Sequence, residues 1–244
     1  MPLLKLHKIA IVIALAGISR AWGADPATAP STQPNDPQFE KVLESINARA
    51  LAIQGLSADF IQEKKSPLLR KPLVSRGTVT AKGAASLWKT EVPEKTEMTS
   101  DPTMLRIYYP DRKIVEEYPI SGKLGMLAAS PLPSLAALRE NFTLVPDKGD
   151  GLVSNDPSIH AVPVRLNPSS PQMTQYVNYV RVLLDADHGL VMIFELVDPD
   201  NEQTVIRFTN VHTGITITDQ DVKLNLPESV KVVRPMGAGE NSGR

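Results

Sequence analysis

The last third of the chain carries the clearest fold signal. Residues 177–211 read VNYVRVLLDADHGLVMIFELVDPDNEQTVIRFTNV. Three runs rich in β-branched and aromatic residues are separated by DADHG (185–189) and DPDN (198–201), which have the composition and length of hairpin loops. Strands joined by such short loops pair antiparallel, so this stretch predicts three neighbouring strands of one antiparallel sheet.

The segments before and after it extend the same pattern. Leu56, Ala58 and Phe60 alternate with polar residues and therefore share one face of an extended segment. An antiparallel meander is predicted. Its further strands lie between Gly, Pro, Asp and Asn turns in GTVTAKGAASLWKTEVP (77–93), TMLRIYYPDRKIVEEYPI (103–120), AVPVRLNP (161–168) and GITITDQDVKLNLP (214–227).

Two segments have helical spacing instead. Residues 39–56, FEKVLESINARALAIQGL, place apolar side chains three and four apart, with Asp36 as the candidate N-cap and Gly55 at the exit. A second, shorter helix is predicted to open at Pro133 and Ser134, in an insertion between strands.

The N-terminus has the layout of a secretory signal peptide. Lys5 and Lys8 precede an apolar run over residues 9–18, and cleavage is expected after Gly23. That run is about half as long as a membrane-spanning helix, so we expect the segment to be removed. The predicted organisation is a signal peptide (1–23), a disordered Pro/Ser/Thr-rich linker (24–37), one domain (38–235) and a flexible tail (236–244).

Composition excludes several classes of function. The chain has no cysteine, which excludes disulfides, thiolate metal sites, cysteine nucleophiles and a lipid-modified cysteine. Its formal net charge is −1, and loss of the three basic residues of the signal peptide leaves about −4. A nucleic-acid partner is therefore not expected.

No motif for catalysis is present. The sequence lacks G-x-S-x-G, H-E-x-x-H, Walker and G-x-G-x-x-G patterns. Asp185, Asp187 and His188 are the best candidates for a metal or acid-base site, but DADHG is more simply a hairpin turn. Glu116 and Glu117 are adjacent, so on a strand they point to opposite faces, and both are interpreted as solvated. The prediction is a binding protein that is not an enzyme and needs no cofactor or metal.

Several short motifs occur in a fixed order along the predicted domain. They are LSADFIQEK (56–64), GTVT leading to LWKTEVP, LRIYYPDRK (105–113), and GLVMIFELVDPDNEQTVIRFTNV with VKLNLPESVKV. This order resembles the LolA family of periplasmic lipoprotein carriers, in a divergent form. The resemblance implies an α+β fold: an open antiparallel half-barrel whose concave apolar face is covered by helices that act as a lid.

The resemblance also implies a function and partners. Family members carry the acyl chains of lipoproteins through the periplasm, from an inner-membrane ABC transporter to an outer-membrane receptor, and break no bond. We therefore expect a periplasmic carrier of acylated lipoprotein or a related lipid, acting as a monomer. A lipid-binding envelope sensor of the same fold is the alternative, and a hydrolase is a third, less favoured one.

Carried over residue by residue, the resemblance gives a candidate lipid-binding cavity. The strand residues are expected to line it and the helix residues to cover it, whereas the alternative for each is an ordinary core residue. The lining residues are Phe60, Val79, Ala81, Trp88, Leu105 and Ile107, and the covering residues are Met126, Leu127, Leu135 and Leu138.

The residue that holds the lid differs from the family pattern. Most members follow the motif glycine with a basic residue and proline, and the arginine there holds the lid. Here Gly77 leads into TVTAKGAAS, which leaves Lys82 as the candidate lid latch. Lysine cannot copy the planar guanidinium, so we expect a weaker latch.

A Pro-bounded loop combines apolar and basic residues. SPLLRKPLVSRG (66–77) contains Leu68, Leu69, Arg70, Lys71 and Leu73. This composition favours transient contact with an anionic lipid surface or an acyl donor. The alternative is that the leucines fold back onto the lid.

Overall fold

The structure is a computed structural model that describes residues 36–83, 85–100, 104–119, 135–154 and 156–235. The predicted signal peptide, the predicted tail, all but the end of the predicted linker, and Met126 and Leu127 lie outside these residues. The described helices are α1 (Pro37–Ala52), α2 (Leu135–Asn141) and α3 (Pro171–Thr174). The strands are β1 (Leu56–Lys65), β2 (Leu73–Lys82), β3 (Ala85–Val92), β4 (Thr96–Ser100), β5 (Met104–Tyr109), β6 (Ile114–Pro119), β7 (Phe142–Pro146), β8 (Ala161–Pro168), β9 (Tyr179–Asp185), β10 (Leu190–Val197), β11 (Gln203–Thr213) and β12 (Lys231–Val233).

All of these strands belong to one open sheet. Their order is β12-β6-β5-β4-β3-β2-β1-β11-β10-β9-β8-β7. Neighbours pair antiparallel, except that β12 runs parallel to β6 at one edge. The predicted fold, an α+β protein built on an open sheet of mostly antiparallel strands, is confirmed.

The two predicted hairpin loops join the strands as expected. In the turn between β9 and β10, Asp185 Oδ1 accepts a hydrogen bond from the Asp187 N–H at 3.0 Å. In the turn between β10 and β11, Asp198 Oδ1 accepts from the N–H groups of Asp200 and Glu202. These carboxylates replace missing backbone partners, which is why Asp opens both turns.

Helix α1 packs its apolar stripe onto the sheet. Asp36 caps it, accepting a hydrogen bond from the Gln38 N–H at 2.9 Å, as predicted. Leu43, Ile46 and Ala50 are buried, and Leu43 and Ile46 form one cluster with strand residues. We call this side of the sheet the apolar face; it carries the alternating residues Leu56, Ala58 and Phe60 of β1.

Residues 214–227 do not form the predicted strand. Gly214 has φ +71°, which turns the chain out of the sheet. Asp221 Oδ2 then accepts from both the backbone N–H and the hydroxyl of Thr218, closing a local turn. The alternating Ile215 and Ile217 mimic a strand, but here the Ile217 side chain and the Ile215 backbone oxygen lie against Gly55.

Other elements were not predicted. β4 is short and polar in sequence, and β7 lies within the insertion that was interpreted as helix and loop. β12 has only three residues, and its pairing with β6 joins segments distant in sequence. In each case the strand is defined by its neighbour in the sheet and not by its own apolar pattern.

Candidate functional site

The six predicted lining residues lie together on the apolar face. Phe60, Val79, Ala81, Trp88, Leu105 and Ile107 are all buried and belong to one continuous apolar cluster. Cross-strand pairing connects them, since Val79 lies opposite Trp88 on β2 and β3. That these side chains contact a lipid stays a prediction.

An aromatic group occupies the middle of this face. The rings of Phe60 and Trp88 meet at a centroid distance of 5.0 Å, and Phe208 lies 5.8 Å from Trp88. Sequence reasoning missed Phe208. The signal was available, because Phe208 alternates with Ile206 along β11 and lies opposite Phe60.

Helix α2 covers part of the apolar face and contacts α1 through polar groups. Leu135 is buried and Leu138 is half-buried against the same cluster. The Leu135 N–H donates to Asn47 Oδ1 at 3.1 Å, and Arg139 forms an ion pair with Glu40. Contacts of this kind are individually weak.

A polar cluster interrupts the apolar face at β6. Glu116 Oε2 accepts hydrogen bonds from the Tyr109 hydroxyl at 3.0 Å and the Tyr118 hydroxyl at 2.7 Å. Burial, together with the neighbouring Glu116 carboxylate, raises the pKa of both tyrosines, which therefore remain protonated donors. Sequence reasoning missed this cluster, although Glu116 and Tyr118 stand two apart on one strand.

The two glutamates do point to opposite faces, as predicted, but neither is simply solvated. Glu117 pairs with Arg106 at 3.3 Å and with Arg234 at 2.8 Å. Glu116 and Glu117 are both half-buried. The reason is that β6 is not a free edge, since β12 pairs with it and Arg234 directly follows β12.

Lys82 contacts the segment that follows β11. Its Nζ lies 2.6 Å from Asp219 Oδ1; the Asp219 side chain is largely exposed and that of Lys82 is half-buried. This hydrogen bond lowers the pKa of Asp219. Lys82 also borders an open cleft of about 570 Å³ formed by residues 52–54 and 213–217. Its role as a lid latch stays a prediction.

The loop between β1 and β2 presents apolar side chains to solvent. Leu68 is 91% exposed and Leu69 is also exposed, as is Leu73, which the structure places as the first residue of β2 and not in the loop. Arg70 and Lys71 lie between them and are exposed as well. The leucines of this loop do not fold back onto the core cluster.

Among the described residues, no three His, Cys, Asp or Glu side chains are grouped to hold a metal ion. Asp185 and His188 form a local pair at 2.7 Å within the hairpin turn, as the simpler interpretation predicted. No helix in the described part of the chain is long and apolar enough to cross a membrane.

The chain is similar to several solved structures at low sequence identity. An uncharacterized conserved protein from Thermus thermophilus matches with a TM-score of 0.52 and 10% identity, covering 81% of this chain and 99% of that one. A LolA superfamily protein from Nitrosomonas europaea matches at 0.41 and 9%, covering 76% and 97%. MucB in the Pseudomonas aeruginosa MucA/MucB complex matches at 0.45 and 14%, covering 77% of this chain and 61% of that one.

Sequence comparison identifies the family. No curated protein matches the chain significantly over its sequence. Residues 52–224 match the family described as outer membrane lipoprotein carrier protein LolA, which is a family of binding and carrier proteins. The match runs from the end of α1 to the turn after β11 and so includes the apolar face and helix α2. The chain therefore belongs to the LolA family.

Proposed function

We propose that this protein is a periplasmic carrier that holds acyl chains of a lipoprotein or a related lipid against its apolar face and releases them to another membrane. The observation that supports this most is the cover. Helix α2 packs against the continuous apolar cluster that includes the aromatic group, and its described polar contacts with α1 are the Arg139–Glu40 ion pair and the hydrogen bond from the Leu135 N–H to Asn47 Oδ1.

The energetics suit such a carrier. Burying an acyl chain is worth about 0.8 kcal/mol per methylene, so a long chain can compensate for displacing the apolar contacts of a seven-residue helix. After the cargo leaves, Leu135 and Leu138 return to the face and keep it from water. The described closed arrangement is then the empty state of the carrier.

Crosslinking α2 to α1 tests the proposal. The chain has no cysteine, so Glu40→Cys with Arg139→Cys creates the one pair of thiols available to a short bifunctional maleimide. Crosslinked before lipid is added, the protein should take up little fluorescent acyl lipid. Added after loading, the crosslinker should join far fewer molecules, because the proposed loaded state holds α2 away from α1. The same double variant treated with a monofunctional maleimide is the control and should exchange lipid freely.

Native mass spectrometry of the protein purified from the periplasm tests the cargo. An acylated adduct that disappears on organic extraction is the expected result. An empty protein that refuses added lipoprotein and phospholipid, yet retains a protein partner, would contradict the carrier role and favour the envelope sensor.

The exposed loop suits delivery of the cargo. Leu68, Leu69 and Leu73 offer apolar contact while Arg70 and Lys71 offer attraction to anionic headgroups. This is the part of the molecule proposed to touch the membrane transiently. An inner-membrane ABC transporter and an outer-membrane receptor are the donor and acceptor that the family resemblance suggests.

A further inference from the structure

One row of side chains runs across six strands of the apolar face. The pairing registers place opposite one another, in order from β1 to β6, Ala58, Val79, Trp88, Met98, Ile107 and Glu116. The first five are buried and apolar. Neighbouring strands lie about 4.8 Å apart, so the apolar part extends over roughly 19 Å, comparable to a long acyl chain.

The row ends on a carboxylate that is held in place. Tyr109 and Tyr118 are both in contact with the core cluster, and both donate to the same oxygen of Glu116. No described residue donates a hydrogen bond to the other oxygen, Oε1. Glu116 is half-buried, so this oxygen is not fully surrounded by water.

The charge of Glu116 is not neutralised by a cation of the described chain. Two arginines of neighbouring segments pair with other carboxylates: Arg106 pairs with Glu117 on the other face, and Arg112 pairs with Glu94 at 3.1 Å. Arg112 also lies over the Tyr109 ring, with its guanidinium carbon 3.9 Å from the ring centroid. Two neutral hydroxyl donors support the anion but leave its negative charge in place.

A half-buried carboxylate at the end of an apolar row has a definite chemical preference. It repels carboxylate and phosphate groups, whose charge would be brought beside it in a low dielectric. It accepts hydrogen bonds from N–H groups, and most strongly from ammonium. A ligand whose chain follows the row would bring its polar end to this oxygen.

We propose that Glu116, positioned by Tyr109 and Tyr118, binds the polar end of the cargo and selects acyl compounds that carry an N–H donor, ammonium or amide, next to the chain. This rests on the proposed carrier function. Glu116 would be the binding residue. The two tyrosines would be positioning residues, since they act through its carboxylate.

Competition binding with four compounds of one chain length tests this. Hexadecylamine and N-methylpalmitamide carry N–H donors of the two kinds, whereas methyl palmitate carries none and palmitate is anionic. Each displaces an uncharged fluorescent acyl probe from the delipidated protein. The wild type should bind the amine about tenfold or more tightly than palmitate, with the amide between them.

Glu116→Gln should bring the amine and palmitate to within about threefold of one another. Glu117→Gln is the matched control, because it makes the same change at the adjacent residue on the other face, and it should keep the wild-type preference. Tyr118→Phe should weaken the preference without abolishing it. Thermal unfolding of each variant verifies that it folds. If Glu116→Gln does not fold, Glu116→Asp replaces it in the competition test.

The outcomes separate the two proposals. Probe binding with no preference among the compounds, or a preference unchanged in Glu116→Gln, would overturn the role of Glu116 and leave the carrier function standing. Failure of the protein to bind the probe or any of the four compounds would overturn the carrier function itself. A preference for amine but not amide would assign the site to ammonium headgroups alone.

Discussion

Trp88 meets Phe60 edge to face across the intervening strand β2, with the ring planes inclined at 61°. Such pairs are specific contacts that add to the burial of each ring. Their position in the middle of the apolar face makes them the best place to distinguish a sealed core from a face that admits lipid.

Phe60→Ala should lower the free energy of unfolding of the lipid-free protein by about 3–5 kcal/mol, because it opens a cavity beside Trp88. If the face admits acyl chains, adding lipid should recover part of this loss in urea unfolding followed by circular dichroism. Leu183→Ala is the control: Leu183 is buried in a small cluster apart from the apolar face, so its loss should not be recovered by lipid. Equal recovery in both variants would argue against lipid at Phe60.

Gly77→Ala should destabilise the sheet by about 3 kcal/mol or more. A Cβ at this position would lie 1.9 Å from the backbone oxygen of Lys89, where the β2–β3 register shifts. Backbone atoms cannot move aside as a side chain can. Gly83→Ala is the comparison, since it has φ +56° and open space around it, and it should cost about 1–2 kcal/mol. Similar midpoints of thermal unfolding in the two variants would contradict this explanation.

Asp147→Asn should change how stability depends on pH. Arg181 hydrogen-bonds Asp147 and lowers the pKa of its carboxyl group below the ordinary value of about 3.9. The carboxylate therefore stabilises the fold above about pH 4, and this contribution is lost as pH falls through the lowered pKa. The variant should be less stable than the wild type at pH 7, with the difference closing in acid. A stability difference from the wild type that persists at the lowest pH would contradict this explanation. An equal loss of stability in Asp111→Asn, which changes an exposed carboxylate, would also contradict it.

Lys82→Met should raise the pKa of Asp219 toward its ordinary value, as measured by carboxyl NMR titration. It should leave the midpoint of thermal unfolding unchanged, because exposed ion pairs contribute little. If Lys82 is also the lid latch, the variant should exchange bound lipid faster than Lys89→Met, a change at an exposed lysine on β3. Identical exchange rates would remove Lys82 from the lid mechanism.

Leu68→Ser with Leu69→Ser should reduce binding to anionic vesicles, measured by co-sedimentation, and slow the transfer of lipid to them. Apolar insertion and charge act together at such a surface, so the remaining Arg70 and Lys71 should not suffice. Val153→Ser changes another exposed apolar residue in a loop without this basic flank and should have no effect. Unchanged vesicle binding in the double variant would exclude the loop as the membrane contact.

Local sequence was sufficient for much of the fold. Asp36 at the start of α1 and the two Asp-rich turns act through hydrogen bonds to residues two to four positions away, so their structure is encoded locally in the sequence. The alternation of Leu56, Ala58 and Phe60 likewise defines a buried face without knowledge of its partner. The same reasoning failed for residues 214–227, where Ile215 and Ile217 alternate without forming a strand and the Ile217 side chain lies against Gly55.

The sequence by itself determined the strands with their own apolar alternation, the helix with its own cap and the absence of cysteine chemistry, because each depends on residues close together in the chain. Only the tertiary structure decided that Glu116 stands at the end of a row begun by Ala58, and that two tyrosines converge on it. The physical reason is register. A shift of one residue in any of five pairings would turn Glu116 or the row to the other face, and that register is set by contacts across the whole sheet.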